Sequence, residues 1–135
     1  MNAELLARTQ FSLLRGASSP EQLVQSAALA GLSHLGVVDR DGVYGLVRAH
    51  RAAQEHGIHL VSGATITVAG APPVSLLVED RTGWATLCRL LTDARHRAEK
   101  GRAETTLNRL LEASSGLHAV LHHGWSAARA EPLRE

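Results

Sequence analysis

Hydrophobic residues in this chain follow two rhythms. Short, nearly continuous apolar runs alternate with longer stretches in which apolar residues recur every three or four positions, as covered strands and one-sided helices require. Residues 5–9 make a first strand, weak by composition. Ser18-Ser19-Pro20-Glu21-Gln22 then opens a helix. Ser19 can cap it, Pro20 suits its first position and Gln22 completes a capping box. Leu23, Val24, Ala27 and Ala28 form its apolar face, and Gly31 stands where a C-terminal cap belongs. Residues 34–39, with Leu35, Gly36, Val37 and Val38, predict a strand covered on both faces. The turn Asp39-Arg40-Asp41-Gly42 follows. A second helix is expected over residues 43–56, with Leu46, Val47, His50 and Ala53 inward and Gly57 as its stop. Residues 58–61 read as a third strand, with Gly63 permitting a bend before residues 65–68 continue extended.

Gly70-Ala71-Pro72-Pro73 is a turn, and residues 74–78 are a fourth strand. Asp80 or Thr82 can cap a third helix, where Trp84, Leu87, Cys88 and Leu91 recur at helical spacing and read as core. Residues 95–104 are polar, contain Gly101 and read as a loop. Residues 106–113 predict a short helix on Leu107, Leu110 and Leu111, and residues 117–121 a fifth strand. Residues 125–135 are expected to be a tail, either a final helical turn or a frayed end. Strands alternating with helices imply a parallel sheet with right-handed crossovers, and both a barrel segment and an open doubly wound sheet fit. We expect one domain over residues 1–124, followed by the tail.

Bulk properties narrow the function classes. A length of 135 residues leaves room for one hydrophobic core. The net charge of +1 supplies no overall field toward nucleic acid or membrane. Cys88, the single cysteine, excludes an internal disulfide and an all-cysteine zinc site. No apolar run approaches the roughly 20 residues that span a bilayer. The start Met-Asn-Ala-Glu lacks the basic and apolar regions of a secretory signal, so no membrane association and a cytoplasmic location are expected.

The candidate chemistry is sparse. Asp39, Arg40 and Asp41 stand at the C-terminal end of a strand, where α/β folds gather functional groups. Two carboxylates one residue apart can hold a divalent cation, or Asp41 can cap the next helix. His122 and His123 follow the fifth strand, but neighbours on an extended backbone face opposite ways. The eight histidines include no His-x-His pair. His34, His50, His56, His59, His96 and His118 are read as surface or cap residues. Arg89, Arg95, His96, Arg97, Lys100 and Arg102 form the one basic patch. Of these, Arg95, Arg97, Lys100 and Arg102 are candidates for phosphate contact with DNA, yet the patch has no aromatic residues to stack on bases. Phosphate-binding glycine loops and a Gly-x-Ser-x-Gly elbow are absent from the sequence.

Several collinear motifs resemble the PHP (polymerase and histidinol phosphatase) domain of bacterial C-family DNA polymerases, best the error-prone branch of the DNA polymerase III alpha-type enzymes. They are Phe11-Ser12-Leu13-Leu14-Arg15-Gly16-Ala17-Ser18-Ser19-Pro20-Glu21-Gln22-Leu23-Val24, Val37-Val38-Asp39-Arg40-Asp41-Gly42-Val43-Tyr44-Gly45, Gly57-Ile58-His59-Leu60-Val61-Ser62-Gly63-Ala64 and Gly83-Trp84-Ala85-Thr86-Leu87-Cys88-Arg89-Leu90-Leu91. The resemblance implies an α/β fold, here a partial (β/α) barrel of PHP type with about five mostly parallel strands and flanking helices. It also implies, in active members, a trinuclear metal cluster that hydrolyses phosphoesters. The family's ligand pattern fails here at most positions. The two histidine places of the first strand hold Leu6 and Arg8. The histidine after the second strand's aspartate is Arg40, the glutamate after the third strand is Thr65, and Asp39 alone matches. One carboxylate cannot hold several cations, so the expected cofactor is none, and Arg8 and Arg40 are expected to pair with Asp39.

This reading makes the chain a non-catalytic PHP-like module of DNA replication or repair, with polymerase or repair proteins or a second copy as partners. The length excludes a polymerase palm. Five strands are too few for a seven-stranded barrel, which implies a truncated module or pairing with another copy or polypeptide. The alternatives are a metal-dependent phosphoesterase using Zn or Mn on Asp39, Asp41, His122 and His123, and a gene remnant.

Overall fold

Strand and helix alternate from the start of the chain. A computed structural model describes residues 1–113 and 115–131. The strands are β1 (Ala3–Ala7), β2 (His34–Arg40), β3 (His59–Ile66), β4 (Val74–Val78) and β5 (Leu117–Leu121). The helices are α1 (Pro20–Leu29), α2 (Leu46–His56), α3 (Arg81–Arg97), α4 (Leu107–Glu112) and α5 (Ala127–Ala130). Hydrogen bonding runs in the order β1-β2-β3-β4-β5, a five-stranded sheet with flanking helices. The chain falls into two compact units, Met1–Ala64 and Thr65–Glu135.

The first unit is a β-α-β-α-β succession. β1 and β2 are parallel, with Ala3 opposite His34 and Ala7 opposite Val37. α1 starts on the predicted capping box, in which Ser19 Oγ accepts from Gln22 N at 3.2 Å and Gln22 Oε1 accepts from Ser19 N at 2.9 Å. The core joins Val24 and Ala27 of α1, Leu35 and Val37 of β2, Leu46, Ala49, Ala52 and Ala53 of α2, and Ile58. Two expectations for α2 are corrected. Val47 and His50 face solvent, because the alanines at 49, 52 and 53 carry the inward stripe. The helix also begins three residues late. Its N-cap is Gly45, with no side-chain cap, and Asp41 instead adopts a left-handed φ of 48° in the preceding turn. β3 runs unbroken through Gly63, where a bend was expected.

In the second unit β4 and β5 are antiparallel, with Val78 opposite Leu117 and Val74 opposite Leu121. The sheet is therefore mixed rather than wholly parallel. Two helices, α3 and α4, separate these strands, so the chain returns to the end it left, where Glu79 N donates to Gly116 O at 3.0 Å. Asp80 caps α3, its Oδ1 accepting from Gly83 N at 2.7 Å. α3 continues to Arg97, three residues into the loop anticipated from Arg95, because buried Ala94 keeps the last turn docked and Arg95, His96 and Arg97 complement its C-terminus. Trp84, expected in the core, is 37% exposed. Of the anticipated tail, Trp125 Nε1 donates to Pro73 O at 3.2 Å and Ala130 is buried. Residues 132–135 lie outside the described residues. Among the described residues, no helix is long and apolar enough to cross a membrane.

Candidate functional site

Asp39 is the buried charge of the first unit, 2% exposed near the end of β2. The loop after β1 folds over it. β1 stops at Ala7, two residues before the expected end, because Thr9 starts a turn in which Phe11 N donates to Thr9 Oγ1 at 3.1 Å and Ser12 N to Thr9 O at 3.0 Å. Gln10 N donates to Ser18 O at 2.8 Å and closes the loop at its base. This geometry aims three donors at the carboxylate. Oδ1 accepts from Thr9 N at 2.8 Å and from Ser12 Oγ at 2.6 Å, and Oδ2 accepts from Thr9 Oγ1 at 2.7 Å. Ser12 Oγ in turn accepts from Arg40 N at 3.0 Å. A buried carboxylate is tolerated only when clothed in this way.

Gly45 closes the space from the other side. A Cβ there would lie 3.1 Å from the Thr9 side chain and 3.2 Å from Asp39 Oδ2. Since Gly45 caps α2, the helix's positive end also lies beside the carboxylate. The guanidinium pairing expected at Asp39 is replaced by hydroxyls and an amide, while Arg40 Nε meets Asp41 Oδ2 at 3.2 Å. Leu6 and Arg8 are half-buried, Leu6 within β1 and Arg8 just beyond it.

The remaining candidates belong to the second unit. Thr65 is 1% exposed and its Oγ1 lies 2.8 Å from Ser75 Oγ. Ser75, fully buried on β4, lies 2.7 Å from His122 Nε2 just past β5. Thr65, Ser75 and His122 thus form a chain of hydroxyls ending on an imidazole, whereas His123 is exposed. Among the described residues, no three His, Cys, Asp or Glu side chains converge to hold a metal ion. Arg95 and Arg97 sit on the last turn of α3, and Lys100 and Arg102 on the exposed loop beyond. Arg97 Nε is 3.7 Å from Asp93, which also pairs with Arg109, so acidic partners temper this patch. Sequence reasoning missed Thr9, Ser12, Gly45 and Ser75. The only local signal was the spacing of Thr9 and Phe11, which suits a hydroxyl-closed turn.

Comparison with known proteins places this architecture. Residues 4–129 match the PHP domain. The chain belongs to the PHP domain family. Error-prone DNA polymerases are among the relatives of this PHP domain. That of Anaeromyxobacter dehalogenans is 50% identical over 97 residues, 68% of the chain and 9% of the relative. Those of Rhodopirellula baltica (40% identical, 86% of the chain, 10% of the relative) and Pseudomonas fluorescens (39% identical, 98% of the chain, 12% of the relative) agree. The PHP domain described here therefore spans about a tenth of the length of these curated relatives. Its fold is similar to an amidohydrolase from Chromobacterium violaceum (TM-score 0.59, 25% identity, 71% of this chain and 34% of the other). It is also similar to a candidate metal-dependent phosphoesterase from Bifidobacterium adolescentis (TM-score 0.56, 24% identity, 70% and 33% covered).

The positions that the resemblance to active PHP domains marks as ligand places offer few free donors. Leu6 offers no ligand atom, Arg8 and Arg40 bring fixed positive charge, Thr65 is committed to Ser75, and both oxygens of Asp39 already accept hydrogen bonds.

Proposed function

We propose that this PHP domain is a non-catalytic module, metal-free at the PHP ligand positions around Asp39, that acts as a scaffold or interaction domain in DNA replication or repair, in the cytoplasm. The observation that carries the reading is the Asp39 carboxylate, the one matching ligand position, both of whose oxygens accept hydrogen bonds from Thr9 and Ser12. On this reading residues 1–124 act as one domain, with residues 125–135 as its tail, and the partner is a polymerase or repair polypeptide or a second copy. The relatives' greater length supports a role alongside further polypeptide. So do the exposed apolar side chains Phe11, Leu13, Leu14, Tyr44 and Val47 of the first unit. DNA contact through Arg95, Arg97, Lys100 and Arg102 is a weaker accompaniment, given Asp93 beside them.

The test is hydrolysis of bis-p-nitrophenyl phosphate by the purified, untagged chain with added Mn2+ or Zn2+, together with metal content by mass spectrometry. No turnover above the free ions is expected. Turnover abolished by chelation, with metal lost on Asp39→Asn, would overturn the proposal in favour of a phosphoesterase.

A further inference from the structure

We propose that His34 and His59 form a two-imidazole site for a borderline transition-metal ion, Cu2+ or Zn2+, remote from Asp39. His34 begins the strand near whose end Asp39 lies, so the two sites are separated by roughly 16 Å of extended chain. His59 begins β3, and its backbone N donates to Ser33 O at 2.9 Å, which sets the starts of β2 and β3 side by side. The two rings are consequently neighbours, with centroids 4.9 Å apart and planes inclined at 51°.

That spacing permits chelation. With a metal–nitrogen bond of about 2.1 Å and roughly 1.1 Å more to the ring centre, each centroid lies about 3.2 Å from a bound ion. An angle at the ion between about 90° and 109° then separates the centroids by about 4.5 to 5.2 Å. The observed 4.9 Å falls inside this window.

A tautomer of His34 that suits ligation is supported by its neighbour. Ser33 Oγ lies 3.1 Å from Asn2 O and 2.9 Å from His34 Nδ1, and when its proton goes to Asn2 O it accepts from Nδ1–H. In that tautomer Nε2 carries the lone pair. An imidazole whose other nitrogen is held by an outer hydrogen bond is the usual arrangement of a metal-bound histidine. His34 is half-buried and His59 exposed, so an ion reaches the pair from solvent. Two imidazoles leave the other coordination positions to water. This donor set favours Cu2+ over Zn2+ and gives little hold on Mg2+ or Mn2+.

Calorimetric titration of the untagged chain with Cu2+ and Zn2+, read beside histidine ring NMR spectra, tests the assignment. The first equivalent is expected to shift (Zn2+) or broaden (Cu2+) the rings of His34 and His59 before any other histidine. His34→Asn and His59→Asn should each weaken it by about tenfold or more, and Ser33→Ala by up to about tenfold. The double variant should be no weaker than either single one, because one remaining ring is no chelate. First binding at another histidine, an unchanged first equivalent in either variant, or losses that add as for independent rings would overturn the site. Melting curves of the variants without metal confirm that these surface changes leave the fold intact. Metal that persists in the double variant but disappears with Asp39→Asn would overturn the metal-free reading instead, so the two failures are separable.

Discussion

Replacing Asp39 with alanine would strip the acceptor from three buried donors at once, Thr9 N, Thr9 Oγ1 and Ser12 Oγ. Leaving a buried donor unsatisfied costs about 1–3 kcal/mol. The two hydroxyls retain some use, since Thr9 Oγ1 still accepts from Phe11 N and Ser12 Oγ from Arg40 N. The amide of Thr9 has no such second role. A net loss of about 3–6 kcal/mol follows, a large share of the roughly 5–15 kcal/mol that holds a domain folded. Asp39→Asn should cost less, about 1–3 kcal/mol, because the carboxamide keeps the shape and one acceptor and Thr9 Oγ1 can turn to receive its N–H. Urea unfolding followed by circular dichroism reads both values. Because the bonds share one carboxylate, the loss in Asp39→Ala combined with Ser12→Ala should fall short of the sum of the single losses by about 1–2 kcal/mol. A loss below about 1 kcal/mol for Asp39→Ala with an unchanged denaturant slope, or strict additivity with Ser12→Ala, would refute the argument. So would a stabilisation of the wild type by Mn2+ that Asp39→Ala removes, since the carboxylate would then be a ligand.

Gly16→Ala should cost about 2–4 kcal/mol, because its Cβ would come within 2.1 Å of Thr9 O and push apart the loop that serves Asp39; a melting temperature within a degree of wild type would show the loop to be pliable. Gly83→Ala should be at least as damaging to the second unit, since a Cβ there would meet Gly116 O at 1.8 Å, backbone against backbone, and soluble expression with a native-like melt would contradict the close approach of α3 to β5. Ser75→Ala removes the hydroxyl between Thr65 and His122, with a cost of about 1 kcal/mol in urea unfolding and a changed His122 ring shift; an unmoved ring resonance would deny the bond. The Glu21 carboxyl, hydrogen-bonded by Arg48 Nε and Nη2 at 2.7 and 2.8 Å, is lowered from 4.5 to about 2. Its depressed value in the folded state means that the pair's contribution is complete above pH 4.5 and is lost as pH falls toward 2. That contribution is modest at an exposed, salt-screened pair. Carboxyl NMR titration checks this, with Arg48→Gln restoring ordinary titration and a wild-type midpoint near 4.5 counting against it.

The fold was legible where chemistry is local. The Ser19–Gln22 capping box, the apolar run of β2 and the left-handed Gly57 behind α2 are written in a few adjacent residues, and the structure has them. Legibility failed where a distant segment decides. Trp84 is the most hydrophobic residue at the start of α3, yet the inward position beside it is Gly83, because the chain entering β5 passes too close for any side chain. Alanines carry the inward stripe of α2 while the larger Val47 faces out, for small residues let α1 pack close. The antiparallel β5 likewise follows from two helices intervening between strands; the sequence shows both, but no residue states that together they return the chain to the end it left.

At the site, on the proposed reading, lost ligands are visible in a sequence but their replacements are not. Leucine and arginine at ligand positions announce themselves by residue type. Threonine and serine do not, and Thr9 and Ser12 gain their meaning only when the loop closes over β2. Expecting guanidinium groups at Asp39 assumed that a negative charge deprived of a cation needs another cation. Buried charge needs local dipoles, and short neutral donors supply them in less volume. Gly45, within 3.2 Å of Oδ2 if it carried even a methyl group, shows how little room a guanidinium would have. It follows that Asp39 is no evidence for metal: on the proposed reading the same aspartate is demanded by Thr9 and Ser12, whose donors would otherwise be stranded in the core. What distinguishes the two roles is the carboxylate's partners, and those partners are three protons held by the chain itself.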